Sequence, residues 1–348
     1  MTLGCGTANT DSESSNSPRS YNGSASVGDF VIITVDPSAR TLTYKNLSNQ
    51  DGGVVPFEVN EDGTYRLNDP EGNLVRAYEA PNQALLLEST QAGVSHDELA
   101  LIFAVPTRTI DPPAWTGQSY NYMQFRTSGG GLEVGSFSFD SEGNLTLAGF
   151  SPYHSVSGGS GYRKKTFSMA GFQPDSSGNF LSNLEDDGSY DYVFGQNNRM
   201  LAVDTPEGTT LGLKTRTGRN FDSSFAGKYK AFYYQKEDAR LSGEDEEIGR
   251  PSLDDATLWI SPSGQLIAKD SQGEILLVAT LRPAAETGYP AFGAGCNGLF
   301  TFRLAQANFR QDVFAAFADH AVVFSSFRAA LPWNAHKTYD YLYGVGLK

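Results

Sequence analysis

The sequence predicts an all-β protein on three observations. Its 348 residues include 37 glycines, 22 phenylalanines and 17 tyrosines but only 4 methionines, a composition typical of turns and pleated strands. Short segments alternate between apolar and polar residues, which is the period of a half-buried strand. Related segments recur along the chain, which indicates one architecture used several times.

The charge balance excludes two classes of partner. The chain has 26 Lys and Arg against 40 Asp and Glu, a formal net charge of −14, and its pI is near 4.7. Nucleic acids and anionic membranes are bound through clustered positive charge, so neither is an expected partner. With 39% hydrophobic residues, the chain has enough apolar material for a sizeable core, and its length suggests two or three domains.

The N-terminal segment is predicted to be a tether. Gly4-Cys5 is followed by about twenty small, polar and turn-forming residues that cannot bury a face. A small residue before a cysteine, then a polar run, resembles the processing site of bacterial lipoproteins, although Thr2 stands where that family usually has Leu. The resemblance implies lipidation of Cys5 and an exported protein held at the outer membrane or cell surface.

Two other interpretations of Cys5 stay open at this stage. In one it is an incidental cysteine of a disordered tail, and in the other it pairs with Cys296, the second of two cysteines. Without an anchor, the protein is expected to be extracellular or periplasmic. The sequence has no run of 18 apolar residues, so we expect contact with a membrane only through the lipid anchor.

An internal repeat of about 110 residues is the strongest signal in the sequence. Three aromatic segments recur, and their corresponding tyrosines are Tyr120, Tyr229 and Tyr339. An apolar run ending in an arginine precedes each segment, at Arg108, Arg216 and Arg328. Because two features share one period, we predict a threefold repeat. The corresponding division is a tether at 1–26 and repeats at 27–126, 127–236 and 237–348, the last with a closing strand.

Each repeat is predicted to consist of antiparallel hairpins. A small residue followed by alternating apolar residues starts six strands, at Gly28, Gly63, Gly135, Gly188, Ala256 and Gly298. Hairpin turns are indicated by glycines at the end of polar tetrapeptides, namely Gly72, Gly143 and Gly264. The middle repeat shows eight candidate strands, beginning near Tyr120, Val134, Leu145, Thr166, Phe180, Tyr190, Met200 and Thr209.

Eight strands per repeat fit two architectures. Two four-stranded blades in each of three repeats give a six-bladed β-propeller, which we favour because radial repetition leaves few exposed edges. The alternative is three tandem eight-stranded barrels, which follows if Ser20-Tyr21-Asn22 is the first repeat's own opening segment. One short helix is also predicted near Asn308-Phe-Arg-Gln311, because Phe309, Val313 and Phe317 recur at helical spacing.

The chain carries no catalytic, cofactor or metal motif, so we predict no catalytic residue, no cofactor and no metal site. Its four histidines lack HxH and HExxH spacing. Ser160 lacks the second glycine of a G-x-S-x-G turn. The adjacent carboxylates Asp186 and Asp187 precede Gly188, where they fit a turn better than a glycosidase pair. A protein without enzymatic activity is therefore favoured.

Two functions of different classes fit these features. The first is an exported, surface-tethered binding or assembly module that holds a glycan or a protein partner through aromatic side chains. Those predicted for this role are Trp115, Tyr122, Trp333 and Tyr341, although their alternation also fits strand packing. The alternative is an extracellular polysaccharide hydrolase or lyase that uses carboxylates from loops. The first is preferred because catalytic motifs are missing.

Overall fold

The protein is described by a computed structural model that covers residues 16–92, 98–125, 133–150, 162–196, 199–215, 220–236, 251–286, 297–306, 309–330 and 341–348. Regular structure in these ranges is β-strand apart from three short 3-10 helices, at Pro112–Trp115, Ser223–Phe225 and Ala284–Glu286. The all-β prediction is confirmed. Within the same ranges, no helix has the length and apolar character needed to cross a membrane.

The first sheet, barrel 1, is a closed antiparallel barrel in which β1 pairs with β8. Alternating side chains such as Val31, Ile33 and Val35 point into its interior, which is filled. Its strands are β1 (Arg19–Ala25), β2 (Phe30–Asp36), β3 (Thr41–Asn46), β4 (Gly52–Val59), β5 (Tyr65–Leu67), β6 (Leu74–Ala80), β7 (Ala84–Ala92) and β8 (Glu98–Pro106).

The second sheet, sheet 2, has nine strands in the order β12-β11-β10-β9-β17-β16-β15-β14-β13. Its strands are β9 (Ser119–Phe125), β10 (Glu133–Phe139), β11 (Leu145–Phe150), β12 (Tyr162–Phe167), β13 (Gln173–Pro174), β14 (Leu181–Leu184), β15 (Tyr190–Gln196), β16 (Met200–Thr205) and β17 (Gly208–Lys214). The eight strands predicted for the middle repeat are all present, and the two-residue β13 is additional.

The third sheet, sheet 3, has the order β21-β20-β19-β18-β26-β25-β24-β23-β22. Its strands are β18 (Gly227–Lys236), β19 (Ser252–Ile260), β20 (Gln265–Lys269), β21 (Ile275–Thr280), β22 (Arg282–Pro283), β23 (Leu299–Gln306), β24 (Phe309–Phe317), β25 (Ala321–Ala330) and β26 (Tyr341–Leu347). Sheets 2 and 3 thus follow the meander of barrel 1 but remain open between their fourth and fifth strands.

The favoured propeller is not what the structure shows, and the barrel alternative fits. The first strand of each sheet pairs with the last strand of the same sheet, as in β1–β8, β9–β17 and β18–β26. Blades and barrels share the same hairpin periodicity, so only this long-range pairing separates them. Tyr21, Tyr120 and Tyr229 lie on the first strands and are fully buried. Tyr21 thereby occupies the place expected of an opening segment.

Several predicted positions differ in the structure. Residues 19–25, assigned to the tether, form β1, which pairs with β2 and β8. At Gly23 the packing is close, because a Cβ there would lie 2.9 Å from Ala104 Cβ. β9 and β18 begin sheets 2 and 3, although the sequence division placed them at the ends of the preceding repeats. Arg108 follows β8 and is exposed, whereas Arg328 lies on β25, the next-to-last strand of sheet 3. Arg216 and Tyr339 lie outside the described residues.

The predicted helix is wrong. Phe309, Val313 and Phe317 lie on β24, which pairs with β23 and β25. A spacing of four residues is close to one helical turn, but it is also two full periods of a strand, so these residues share a face in either conformation. Val313 and Phe317 point into the interior of sheet 3.

The outer faces of the three sheets pack around a shared hydrophobic core. Phe30 of barrel 1 stacks on Tyr192 of sheet 2, with their ring centroids 4.3 Å apart. Phe125 of sheet 2 stacks on Tyr343 of sheet 3 at 4.6 Å. The strands at these junctions are therefore apolar on both faces, one toward the interior of their own sheet and one toward a neighbour.

The three sheets contact one another in a closed ring, and every contact joins the same two parts of neighbouring sheets. β1 contacts β16, β9 contacts β25 and β18 contacts β7, so the first strand of each sheet meets the penultimate strand of the next. The residue after each buried tyrosine makes a hydrogen bond across the junction. These bonds run from Asn22 Nδ2 to Asn179 O (3.0 Å), from Asn121 Nδ2 to Asn297 O (2.8 Å) and from Lys230 Nζ to Asp62 Oδ2 (2.8 Å).

Candidate binding cavity

Sheet 2 has an open interior because its two edge strands do not pair. The edge strands β12 and β13 are joined by residues 168–172. The space enclosed by the sheet measures about 640 Å³, which lies within the range of ligand pockets. In barrel 1, by contrast, β4 pairs with β5 and side chains fill the interior. We call the space inside sheet 2 the acidic cavity, for the residues described next.

Six carboxylates line the acidic cavity, and they are Glu133, Glu185, Asp186, Asp187, Asp191 and Glu207. Lys165 is the one cation among the described lining residues, and its Nζ lies 4.4 Å from the centroid of the Phe167 ring. The lining therefore has a strong excess of negative charge. Apolar side chains, including Phe137, Leu147 and Phe167, form the remaining wall.

Aromatic side chains close one end of the interior of sheet 2. Trp115 lies 5.2 Å from Phe139, and Tyr120 stacks on Phe137 at 5.0 Å, each measured between ring centroids. Trp115 and Tyr122 are each only 1% exposed. The sequence assigns both to a ligand-binding surface, whereas the structure packs both into the interior, which their alternation also allows. Neither side chain presents a face to solvent.

Tyr122 nevertheless positions a carboxylate of the cavity. Its hydroxyl donates a hydrogen bond to Glu133 Oε1. Gly149 leaves room for this bond, because a Cβ on Gly149 would lie 2.1 Å from Tyr122 Oη and 2.7 Å from Glu133 Oε1. Gly149 lies opposite Gly135 in the β10–β11 pair. The tyrosine is thus a buried support for the acidic lining.

The other residues predicted for binding or anchoring are not placed. Trp333, Cys5 and Cys296 lie outside the described residues. Tyr341 begins β26, where its backbone pairs with Phe327 and Lys236, and its side chain is outside the description. Lipidation of Cys5 therefore stays a prediction.

Asp191 titrates close to neutral pH. Burial raises the pKa of Asp191 to about 6, and the negative charge of Glu185, which shares a hydrogen bond with it, adds to the rise. The negative charges of Asp187 and Glu207 also raise the pKa of Asp191. Asp191 is therefore mainly ionised at pH 7 and mainly neutral at pH 5.

Two pairs of cavity carboxylates have defined local surroundings. Asp187 Oδ1 accepts hydrogen bonds from Ser189 N at 2.9 Å and Ser189 Oγ at 2.6 Å, so the turn predicted for Asp186 and Asp187 is confirmed. Asp191 and Glu185 are close enough for the charge of Glu185 to raise the pKa of Asp191. Within the described ranges, no group of three or more His, Cys, Asp or Glu is arranged to hold a metal ion.

Sequence reasoning missed most of this lining. Only Asp186 and Asp187 were identifiable as a local pair, whereas Glu133, Asp191 and Glu207 come together through long-range strand pairing. The cavity lining could have been identified from acidic residues that share a strand face with buried apolar residues. Asp191, for example, lies two residues before the buried Val193. Alternation alone does not say which face of a strand is inward.

No protein-family model and no curated protein sequence matches the chain. Among solved structures, the chain is similar to a transferrin-binding protein B mutant from Haemophilus parasuis Hp5, with 9% identity, a TM-score of 0.24 and coverage of 92% of this chain and 66% of that one. It is also similar to intact Ap-TbpB with its N and C lobes, at 9% identity and a TM-score of 0.21, over 96% and 78% of the two chains.

A third similar structure is a Bacteroides fragilis NCTC 9343 protein with a provisional outer membrane assignment, at 8% identity and a TM-score of 0.19, over 96% of this chain and 97% of that one. The chain thus spans about two thirds of the first of these structures.

Proposed function

We propose that the protein is an exported, non-catalytic binding module whose acidic cavity holds a basic side chain of a protein partner. The observation that carries the proposal is the cavity of about 640 Å³ whose described lining combines six carboxylates with a single lysine. Carboxylates bind cationic side chains through charge-assisted hydrogen bonds.

The shape of the lining favours a lysine or arginine side chain over a bare cation. Such side chains have an apolar stem and a charged head. Phe137, Leu147 and Phe167 offer an apolar wall to the stem. The carboxylates near Asp191 accept hydrogen bonds from the head. The net charge of −14 attracts a basic surface from a distance.

Calorimetric titration of the full chain with a Lys/Arg-rich peptide tests this function. We expect binding that weakens as salt rises, because exposed charges are screened. Replacing Asp191 with Asn should weaken it about tenfold. The matched control is Glu58→Gln on barrel 1, which removes the same charge from an exposed ion pair with Arg66, and it should leave binding unchanged.

Two results would contradict the proposal. An equal loss in Glu58→Gln and Asp191→Asn would mean that the peptide senses only net charge. Binding of neutral oligosaccharides in place of the peptide, abolished by Asp191→Asn, would make the partner a glycan.

We further propose that Cys5 carries the lipid that tethers this module outside the cytoplasm. The support is the Gly4-Cys5 junction and the polar run after it. Expression of the precursor in a bacterium with lipoprotein processing should give a mature N-terminus at Cys5 with the mass of added acyl chains, and Cys5→Ser should release the protein from membranes. An unmodified Cys5, or a disulfide with Cys296, would leave an unanchored exported protein.

A further inference from the structure

Sheet 3 encloses a second cavity, of about 310 Å³, whose chemistry is opposite to that of the acidic cavity. None of the described residues that line it carries a charge. Aliphatic and phenylalanine side chains form the wall, and the polar side chains among them are those of Tyr233, Gln235 and Ser326. We call this space the apolar cavity. Its volume is at the lower end of the range for ligand pockets.

Small side chains keep the apolar cavity open. Ala256, Ala268 and Ala315 line it on β19, β20 and β24. In barrel 1 the interior is filled instead, for example by Phe57 stacked on Tyr65 with ring centroids 4.4 Å apart. Protein interiors are normally packed to the density of organic crystals, and an empty apolar space loses the dispersion contacts that its walls would make. An occupant that lacks charge would restore those contacts.

The rim of the cavity gives an apolar path from solvent. β21 is an edge strand, and Ile275, Leu276 and Val278 on it are 62%, 52% and 64% exposed. Leu276 also lines the cavity, so the exposed surface is continuous with the interior. The edge of sheet 2 is different, because β12 carries Lys164 and Lys165, the type of residue that protects an edge from pairing.

We propose that sheet 3 binds one linear aliphatic chain, such as the acyl chain of a fatty acid or lipid, which enters over β21 and lies in the apolar cavity. The described lining offers no charge to pair with a headgroup, so the headgroup stays at the rim. Affinity should therefore follow chain length rather than headgroup. Each added methylene that is buried is expected to tighten binding about fourfold until the cavity is full. This site is separate from the acidic cavity, and the proposal goes beyond the proposed function.

Displacement of the uncharged fluorescent probe N-phenyl-1-naphthylamine from the full chain tests the proposal. Two series with eight to twelve carbons would be compared, fatty acids and alkyl maltosides, each below its micelle concentration. Displacement by both series with the same dependence on chain length supports the proposal. Displacement by one series alone would show that the headgroup decides binding, and overturns the proposal. Failure of both series, or affinity independent of chain length, overturns it.

Two variants on β21 and one on β24 show whether the aliphatic chain of the ligand enters where proposed. Leu276→Lys places a charge at the rim of the cavity, and should weaken binding at least about tenfold. Thr280→Lys places the same charge at an exposed position of β21 that does not line the cavity, and should change binding less than about twofold. Ala315→Leu fills the space from the opposite wall and should also weaken binding, which keeps the proposal testable if Leu276→Lys does not fold.

A second copy of the chain is the competing occupant of β21. Sedimentation at micromolar concentration distinguishes the two. A monomer that binds the probe supports the proposal, whereas a dimer that binds no probe and dissociates on Leu276→Lys overturns it.

Discussion

Asp191 is expected to make binding in the acidic cavity sensitive to pH. Because its pKa is raised to about 6, it gains a proton as the pH falls from 7 to 5, and the cavity loses one negative charge. A Lys/Arg-rich peptide should then bind about tenfold more weakly at pH 5 than at pH 7, and titrations across this range would measure the step. The Asp191→Asn variant should lack the step. If the peptide affinity of that variant changes with pH as much as that of the parent, another group causes the pH dependence.

Asp204 joins barrel 1 to sheet 2 through buried hydrogen bonds. The carboxyl is fully buried and accepts a hydrogen bond from Ser24 Oγ, which lies 2.5 Å from Thr209 Oγ1, and Thr209 donates to Ala25 O at 2.8 Å. Burial raises the pKa of Asp204 well above its usual range, which favours its neutral form.

Replacing Asp204 with Asn should flatten the pH dependence of stability. The folded parent keeps a proton that the unfolded chain loses above pH about 4, so stability falls as pH rises, and an amide has no such proton to lose. In thermal melts, the stability of the Asn variant relative to the parent protein should increase from pH 5 to pH 8. Ser24→Ala, which removes the hydrogen-bond donor to Asp204, should cost about 1–3 kcal/mol. A pH-independent difference between Asn and Asp would contradict a protonated Asp204.

Turns as well as strands fix the junction between barrel 1 and sheet 2. Gly28 has φ +90° in the β1–β2 turn, and a Cβ there would lie 2.4 Å from Thr205 O. Gly28→Ala should therefore destabilise the protein by about 2 kcal/mol or more, by denaturant titration. Gly72→Ala is the matched control, because Gly72 also has a positive φ of 75° but no atom within 4 Å of an added Cβ. Equal losses would show that the junction contact contributes nothing.

Local elements were predictable where the signal was local. The turns at Gly72, Gly143 and Gly264 are present, each with its backbone hydrogen bond to the residue three before it. The alternating segments form strands for the same reason, because a period of two and a nearby turn specify a hairpin. β24 was misread because its apolar residues recur every four positions, a spacing shared by strand and helix. β1 was missed because its composition is polar and small.

The whole molecule is expected to unfold as one unit, since the core between the sheets belongs to all three. Phe125 lies 4.6 Å from Tyr343 and 5.0 Å from Tyr234, between ring centroids. Phe125→Ala should cost about 4 kcal/mol while calorimetry still shows a single transition. Trp259→Ala, on a half-exposed aromatic of sheet 3, should cost less than about 1 kcal/mol. Separate transitions would show that the sheets fold independently.

The pairing of strands across the whole molecule could not be predicted from local sequence patterns. Which strand pairs with which is decided by contacts such as Tyr21 with Pro106, which are far apart in sequence. The acidic cavity depends on the same pairing, because it exists only where β12 and β13 fail to meet. Its carboxylates were visible as residues, but nothing in their sequence neighbourhood brings Glu133 to the same space as Asp191.

The contact between the first strand of each sheet and the penultimate strand of the next is a head-to-tail contact. A head-to-tail contact that closes after three steps is the geometry of a cyclic trimer, in which every copy must be identical. Here all three positions belong to one polypeptide, so a substitution inside one sheet is not repeated in the others. This arrangement lets the interiors of the three sheets differ, as a packed barrel, an acid-lined chamber and an apolar chamber, while the contacts that hold the sheets together stay the same.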